Sequence, residues 1–266
     1  MLEFGFVTDE IHADAGHAIT IARSWGVHRF ELRMTRSGRV PGISHDDLQT
    51  LRLAVHDGAV ITALSPGLFK LHPGQEQEVE HELRSVLPRS IAMARELGCR
   101  MLLAFGFKRP DEGLDAARTA AITHLRRAAE MVQRQGMLLA VENEPGYFCD
   151  SGSHTAAMLR DAASDALRAN WDPANAIGTG ERPYPEGYEA LKSHIVNVHA
   201  KDTIEGSLVA CLPIGEGLVD WSGQLRALAR DGIVQHVTIE THHEPLKESS
   251  ERNLAVLRAM LVSAVV

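Results

Sequence analysis

Four stretches decide how this chain folds: AVENEPG at Ala140–Gly146, NWDPAN at Asn170–Asn175, VNVHAKD at Val196–Asp202 and VTIETHH at Val237–His243. Each is a short apolar run that ends in polar residues able to hold a metal. Side chains alternate between the two faces of a strand. Leu138, Ala140, Glu142 and Glu144 therefore share one side, and Leu139, Val141 and Asn143 the other. The same count groups His199 with Asn197 and Lys201, and Glu240 with Thr238 and His242. Four successive strands would deliver Glu142, Asp172, His199 and Glu240 to one end of a sheet. That set is a metal site of three carboxylates and one imidazole.

Outward from these stretches the pattern repeats. Apolar runs predict strands at Glu3–Thr8, Val27–Arg33, Ala59–Leu64, Arg100–Gly106, Met137–Asn143, Leu167–Asp172, His194–Lys201 and His236–Thr241. Helical periodicity fills the intervals, at Asp14–Trp25, Ser44–His56, Gln77–Leu97, Leu114–Gln135, Ser153–Ala166, Tyr184–Ser193, Trp221–Arg230 and Lys247–Ser263. Gly26, Gly58, Gly98 and Gly136 stand where a helix should stop in a left-handed cap. Ser44 with Asp47, and Ser153, are expected to cap helix starts. Pro88 should kink or divide the third helix, because it lacks the N–H a helix interior needs. Eight strand–helix pairs with short links predict a single α/β domain over residues 1–266, a (β/α)₈ TIM barrel. The alternative is a doubly wound sheet, which would place its site at one reversal of strand order. Here the polar residues fall at the C-terminal ends of strands five to eight, where barrel sites form.

The chain has 266 residues, enough for a large core, with 44% hydrophobic and 23% charged residues. No apolar run reaches membrane-spanning length, and MLEFGFVTDE lacks the basic and apolar regions of a signal peptide, so a cytoplasmic location and no membrane partner are expected. Net charge is −8 and the basic residues are scattered, which argues against a nucleic-acid partner but leaves room for a local anion pocket. Three separated cysteines, Cys99, Cys149 and Cys211, indicate neither a disulfide framework nor a thiolate zinc cluster. Neither a GxGxxG after the first strand nor a Lys-containing P-loop is present, which disfavours nicotinamide and nucleotide-triphosphate chemistry.

An O₃N donor set with open positions suits one divalent ion, Mn²⁺ or Mg²⁺ ahead of Co²⁺ or Zn²⁺. The open positions can chelate the carbonyl and neighbouring hydroxyl of a keto-sugar and stabilise an enediolate. Around that set, Glu144 is the rival of Glu142 or a substrate contact. Lys201 either binds a substrate hydroxyl or carboxylate, or pairs with Glu240 or Asp202. Arg33 is an anion or hydroxyl binder at the barrel mouth, or part of a buried network with Glu31. One of His242 and His243 contacts substrate, and the other faces solvent or caps the last helix. Trp25, Trp171 and Trp221 read as packing residues, and Gly178–Gly187 as a loop over the site.

With ELR at Glu31–Arg33, ENEPG, WDPAN, HAKD, PIGEGLVDW at Pro213–Trp221 and IETHH, the whole chain resembles the xylose isomerase-like TIM barrels, the sugar phosphate isomerase/epimerase family. That family includes ketose 3-epimerases, hydroxypyruvate isomerase, inosose-processing enzymes and endonuclease IV. The resemblance implies metal ligation by Glu142, Asp172, His199 and Glu240, with Glu142 and Glu240 also transferring protons. The metal-holding motifs match while the substrate-contacting ones depart. Asn175 stands three residues after Asp172 where many members carry histidine, Phe148 where ketose 3-epimerases carry a glutamate, and Glu205 where they carry an arginine. Asn175 can still donate to a substrate hydroxyl but cannot carry a proton. Endonuclease IV needs extra histidines after strands three and four; here those ends read ALSPG and LAFGF.

The expected function is a metal-dependent isomerase or epimerase of a small keto-sugar, inosose or sugar acid. A lyase or dehydratase, in which the same enolate expels a hydroxyl or glycosyl group, is the first alternative. A noncatalytic sugar-binding protein is the second. The expected partner is a carbohydrate, with a homo-oligomer or a partner subunit allowed.

Overall fold

A computed structural model describes residues 2–204 and 211–265. Its frame is a closed barrel of eight parallel strands: β1 (Glu3–Val7), β2 (Arg29–Leu32), β3 (Val60–Leu68), β4 (Met101–Phe105), β5 (Leu138–Glu142), β6 (Leu167–Trp171), β7 (Ile195–Ala200) and β8 (His236–Ile239). Each strand pairs with its neighbours in sequence, and β1 closes on β8 with Glu3 beside His236 and Phe6 beside Ile239. The chain therefore folds as a (β/α)₈ TIM barrel. Outside it lie α1 (Ala15–Ser24), α2 (His45–His56), α3 (Leu87–Glu96), α4 (Leu114–Gln133), α5 (Gly152–Ala162), α6 (Tyr188–Leu191), α7 (Trp221–Asp231) and α8 (Leu246–Val265).

Alternation along the strands sorts the side chains as the sequence predicts. Phe6, Phe30, Leu139, Val141 and Ile239 face the helices in the main apolar layer with Trp171 and Trp221, all buried. Each such large side chain contributes about 1.5–3 kcal/mol when removed from water. Inside the barrel, Ala63, Met101, Leu103 and Ala140 form a small apolar plug on one side. Two residues further along their strands, Ser65, Phe105 and Glu142 reach the cavity above it. On the other side the interior is polar, with Glu31, Asn170, Asn197, His199 and Thr238 all buried.

Helix boundaries follow the expected chemistry, with two corrections. Gly26, Gly58, Gly98 and Gly136 all take positive φ, and Ser44 Oγ accepts from Asp47 N at 3.1 Å. The fifth helix is capped by Ser151, which accepts from His154 N at 3.2 Å, not by Ser153. The third helix is divided ahead of Pro88 as expected: Glu76–His81 passes through a π-turn over Glu82–Val86 into α3, Leu87 N–H reaches Glu82 O, and Pro88 occupies the second position of α3. The sixth helix is shorter than its periodicity implies, because Pro185 forces the preceding Tyr184 into an extended conformation (φ −134°, ψ 133°) and regular helix begins at Tyr188. Strand β3 also runs past Leu64 through Pro66 and Gly67, with a register shift against β4.

No helix of the described residues is long and apolar enough to cross a membrane.

Candidate metal centre

Strand ends β5 to β8 bring Glu142, Asp172, His199 and Glu240 together, each with one ligating atom within 4.8 Å of the others and all four buried. Glu142 ends β5, and His199 lies on β7 beside Thr238 of β8. Asp172 is held by the turn it starts. Its Oδ1 accepts from Ala174 N (2.9 Å) and Asn175 N (3.1 Å), capping the single helical turn Pro173–Ala176. Asn143 clamps the backbone of Asp172 from both sides, donating to its carbonyl at 2.7 Å and accepting from its N–H at 2.8 Å. Asp172 Oδ2 is left facing the cluster without a hydrogen bond of good geometry, although Lys201 Nζ stands 2.8 Å away. With three carboxylates and one imidazole converging, the donor set fits a divalent ion, and Asp172 Oδ2 points toward the other three groups.

His199 is oriented from behind. Its Nε2 lies 2.8 Å from Glu31 Oε2, and its Nδ1 faces Glu142 Oε1 and Glu240 Oε2, each at 3.4 Å. A ligating imidazole is ordinarily fixed by a carboxylate on its other nitrogen, and Glu31 supplies that carboxylate from β2. Burial opposes a charge on His199, but Glu31, Glu142 and Glu240 together outweigh it and raise its pKa well above the usual value. The expected Glu31–Arg33 network does not form. Glu31 turns down to His199 and Asn197, while Arg33 turns up to the mouth.

At the mouth Arg33 binds Glu240 Oε1 (2.7 Å), Glu10 Oε1 (2.5 Å) and Asp9 Oδ2 (2.8 Å). His242 joins this network from the same side, with Nδ1 2.9 Å from Glu10 and Nε2 3.3 Å from Glu240. Burial works against its charged form, but Glu240 and Glu10 push its pKa up to about 9. Its neighbour His243 instead reaches the Cys211 carbonyl at 3.0 Å. Lys201 pairs with Glu240 at 3.0 Å as well as with Asp172, and not with Asp202. The Asp202 carboxylate accepts four backbone N–H groups, of Thr203, Gly215, Gly217 and Val219, and so folds the turn before α7. A Cβ on Gly217 would lie 2.1 Å from Asp202 Oδ1, which explains glycine there.

These groups floor a cavity of about 530 Å³ whose lining includes Arg33, Glu142, Glu144, Lys201, Glu240 and His242. Burial, and then Glu142, push the Glu144 carboxyl up to about 7. Asn175 is not on this surface: it is buried, and its Nδ2 donates to Asn143 O at 2.8 Å and Glu144 Oε2 at 3.3 Å. Phe148 is buried too, its N–H on Phe107 O at 2.9 Å. Glu205 lies outside the described residues. Sequence reasoning passed over Asp9, Glu10, Arg39, Ser65, Lys70 and Phe105. Asp9 carried a signal, since it continues the inward parity of Glu3, Gly5 and Val7.

Barrel and cluster define a TIM-barrel protein with a candidate divalent-metal site at the C-terminal ends of its strands. Residues 19–260 match the family model described as "Xylose isomerase-like TIM barrel", and the chain belongs to that family. No curated protein sequence matches it. Among solved structures it is similar to an L-ribulose 3-epimerase (TM-score 0.81, 16% identity, covering 100% of this chain and 96% of that one). It is similar also to the IolI protein with a bound zinc atom (0.81, 15%, 99% and 98%). A third is the probable 3-DHS dehydratase AsbF of Bacillus anthracis, involved in petrobactin synthesis (0.80, 15%, 97% and 99%). At such identities the likeness shows the fold.

Proposed function

We propose that the protein is a divalent-metal-dependent isomerase or epimerase of a small keto-sugar, inosose or sugar acid. The observation that carries this reading is that Glu142 and Glu240 bracket the same edge of the His199 imidazole, each 3.4 Å from Nδ1, at the floor of one cavity. Glu142, Asp172, His199 and Glu240 are the groups that would hold the ion, with Mn²⁺ best suited to the three oxygens and one nitrogen. When bound, the ion polarises a substrate carbonyl and acidifies the C–H beside it.

The two glutamates have different settings. Glu142 has no Lys or Arg partner within ion-pair distance among the described residues, so its lone pairs are the more available to a substrate proton. Glu240 is pinned by Arg33 and Lys201. Burial favours its protonated form, but Lys201, His242 and His199 outweigh burial and hold its carboxyl well below the usual range. A proton resting on Glu240 is therefore released readily. In the proposed reaction one glutamate takes the proton from carbon and the other returns it, while Arg33 and Lys201 keep Glu240 in place.

Elimination is the second reading. Asn175 stands where many of the resembled enzymes have histidine, and its amide is committed to Asn143 O and to the carboxylates of Glu144 and, at 3.5 Å, Glu142. Asn175 thus cannot return a proton to carbon as a histidine could, and expulsion of a β-substituent requires no such return. The test is a screen of the Mn²⁺-loaded protein with keto-sugars, inososes and sugar acids in D₂O, followed by NMR. Deuterium at the carbon beside the carbonyl, in a product of unchanged composition, supports isomerisation or epimerisation. Loss of water or an aglycone replaces it with the lyase reading, and absence of exchange from every compound rejects both.

A further inference from the structure

Five cationic side chains face the cavity: Arg33, Arg39, Lys70, Lys201 and His242. Three of them, Arg33, Lys201 and His242, hold carboxylates of the metal centre or mouth at 3.3 Å or less. Arg39 and Lys70 have no carboxylate at ion-pair distance among the described residues: Arg39 donates to the Ser65 carbonyl at 3.0 Å, and Lys70 Nζ lies 3.9 Å from the centre of the Phe105 ring. Glu144 also lines the cavity and accepts from Asn175 Nδ2 at 3.3 Å; it feels the charge of Lys70, but the two stand beyond ion-pair distance.

The backbone is bent out of its ordinary path to put these two cations there. Gly67 takes φ +80°, a conformation that favours glycine, and the Arg39 side chain lies alongside it, 3.4 Å from where a Cβ would stand. Two residues later Phe69 has φ +66°, an uncommon conformation for a bulky residue. It is fixed there by its N–H, which donates to Glu82 Oε2 at 2.7 Å, and by stacking on Phe107 at 4.6 Å. The turn delivers Lys70 over the Phe105 face and into the cavity. Left-handed conformations of non-glycine residues persist where the surroundings over-determine them, and they gather at ligand sites.

We propose that Arg39 and Lys70 form an anion subsite, and that the substrate is an acidic keto-sugar whose carboxylate or phosphate they hold while its carbonyl end lies over Glu142 and Glu240. This rests on the reading of the centre as a metal-dependent keto-sugar site. Two cations that face the cavity with no carboxylate at ion-pair distance among the described residues gain from an anionic ligand, and a guanidinium fork matches a carboxylate or phosphate in two-point contact. The acidic chain as a whole does not oppose this, because the field in a cleft is set by its own lining.

The experiment is calorimetric titration of the full-length, Mn²⁺-loaded protein with D-fructose, D-fructuronate, whose carboxylate is at the end remote from its carbonyl, and D-fructose 6-phosphate. The acidic probe that fits is expected to bind at least about tenfold more tightly than D-fructose, the effect of one to two charge-assisted hydrogen bonds. The R39M/K70M double variant is expected to lose that preference, and Arg39→Lys to keep part of it. Preference for the carboxylate over the phosphate, or the reverse, identifies the anion. The proposal is overturned if the acidic and neutral probes bind wild type alike, if neither acidic probe binds, or if the double variant keeps the preference. Metal content, measured on the same samples, separates the two levels. A chain without Mn²⁺ that still prefers anions breaks the reading of the centre and keeps the subsite. A Mn²⁺-loaded chain without the preference does the reverse.

Discussion

The two walls of the cavity are built in opposite ways. On the side of β5 to β8, strand ends bring Glu142, Asp172, His199 and Glu240 together, and Asn143, Glu31 and Lys201 brace Asp172, His199 and Glu240 in turn. On the side of β2 and β3, a register shift, Gly67 and the left-handed Phe69 deliver Arg39 and Lys70, whose charges have no carboxylate partner among the described residues. Fixed coordination asks for rigid geometry, which strand ends supply. Recognition of a substrate's far end asks for charge placed at a chosen distance, which a bent loop supplies.

The strongest way to break this contrast is to disable proton transfer on the rigid wall. Glu142→Gln and Glu240→Gln, each confirmed folded and metal-loaded, are expected to slow exchange of the substrate C–H proton with D₂O by about 10²–10⁴-fold, because an amide is not a useful base at neutral pH. Wild-type exchange rates in both variants would transfer the base role to another group, with Lys201 and His242 first in line.

A smaller effect is expected one layer back. Glu31→Gln leaves the four ligands intact but replaces the carboxylate that orients His199, and it should weaken Mn²⁺ binding by about 10–100-fold. An unchanged dissociation constant would make Glu31 a packing residue of the barrel interior.

The smallest expected effect lies under the bent wall and is read as stability. Burial pushes the Glu82 carboxyl up to about 7 against the lowering effect of the Phe69 N–H, from an ordinary value of 4.5. The folded state then holds this proton more tightly than the unfolded one, so the contribution of Glu82 to stability declines as pH rises from about 4.5 through about 7 and changes little beyond. Glu82→Gln keeps an acceptor for Phe69 N–H and cannot ionise. Its Tm is expected to gain on wild type as pH rises across that window, and parallel Tm curves would contradict the assignment.

How legible each wall was in the sequence follows from the same contrast. Parity along a strand gives the face of each side chain, so the order of residues alone groups Glu142, His199 and Glu240. Asp172 was reachable because WDPAN marks a strand end with its turn. Parity does not say which strand lies across the barrel, and for that reason Glu31 was assigned to Arg33 and not to His199. It also stops at irregular backbone. Pro66 and Gly67 read as the end of a strand that in fact runs to Leu68, and nothing in SPGLFK announces that Phe69 turns left-handed and aims Lys70 inward. Arg39 sits on a two-residue ribbon pairing with Met34, too short to show a period.

The central claim is that Glu142, Asp172, His199 and Glu240 form one divalent-metal site, and titration of Mn²⁺ into metal-stripped protein tests it most directly. Wild type should bind one ion per chain. Asp172→Ala and His199→Ala, checked for retained fold by circular dichroism, should lose that binding, since each removes a ligand without an available substitute. Absence of saturable Mn²⁺ binding in wild type, or undiminished binding in both folded variants, would contradict the account.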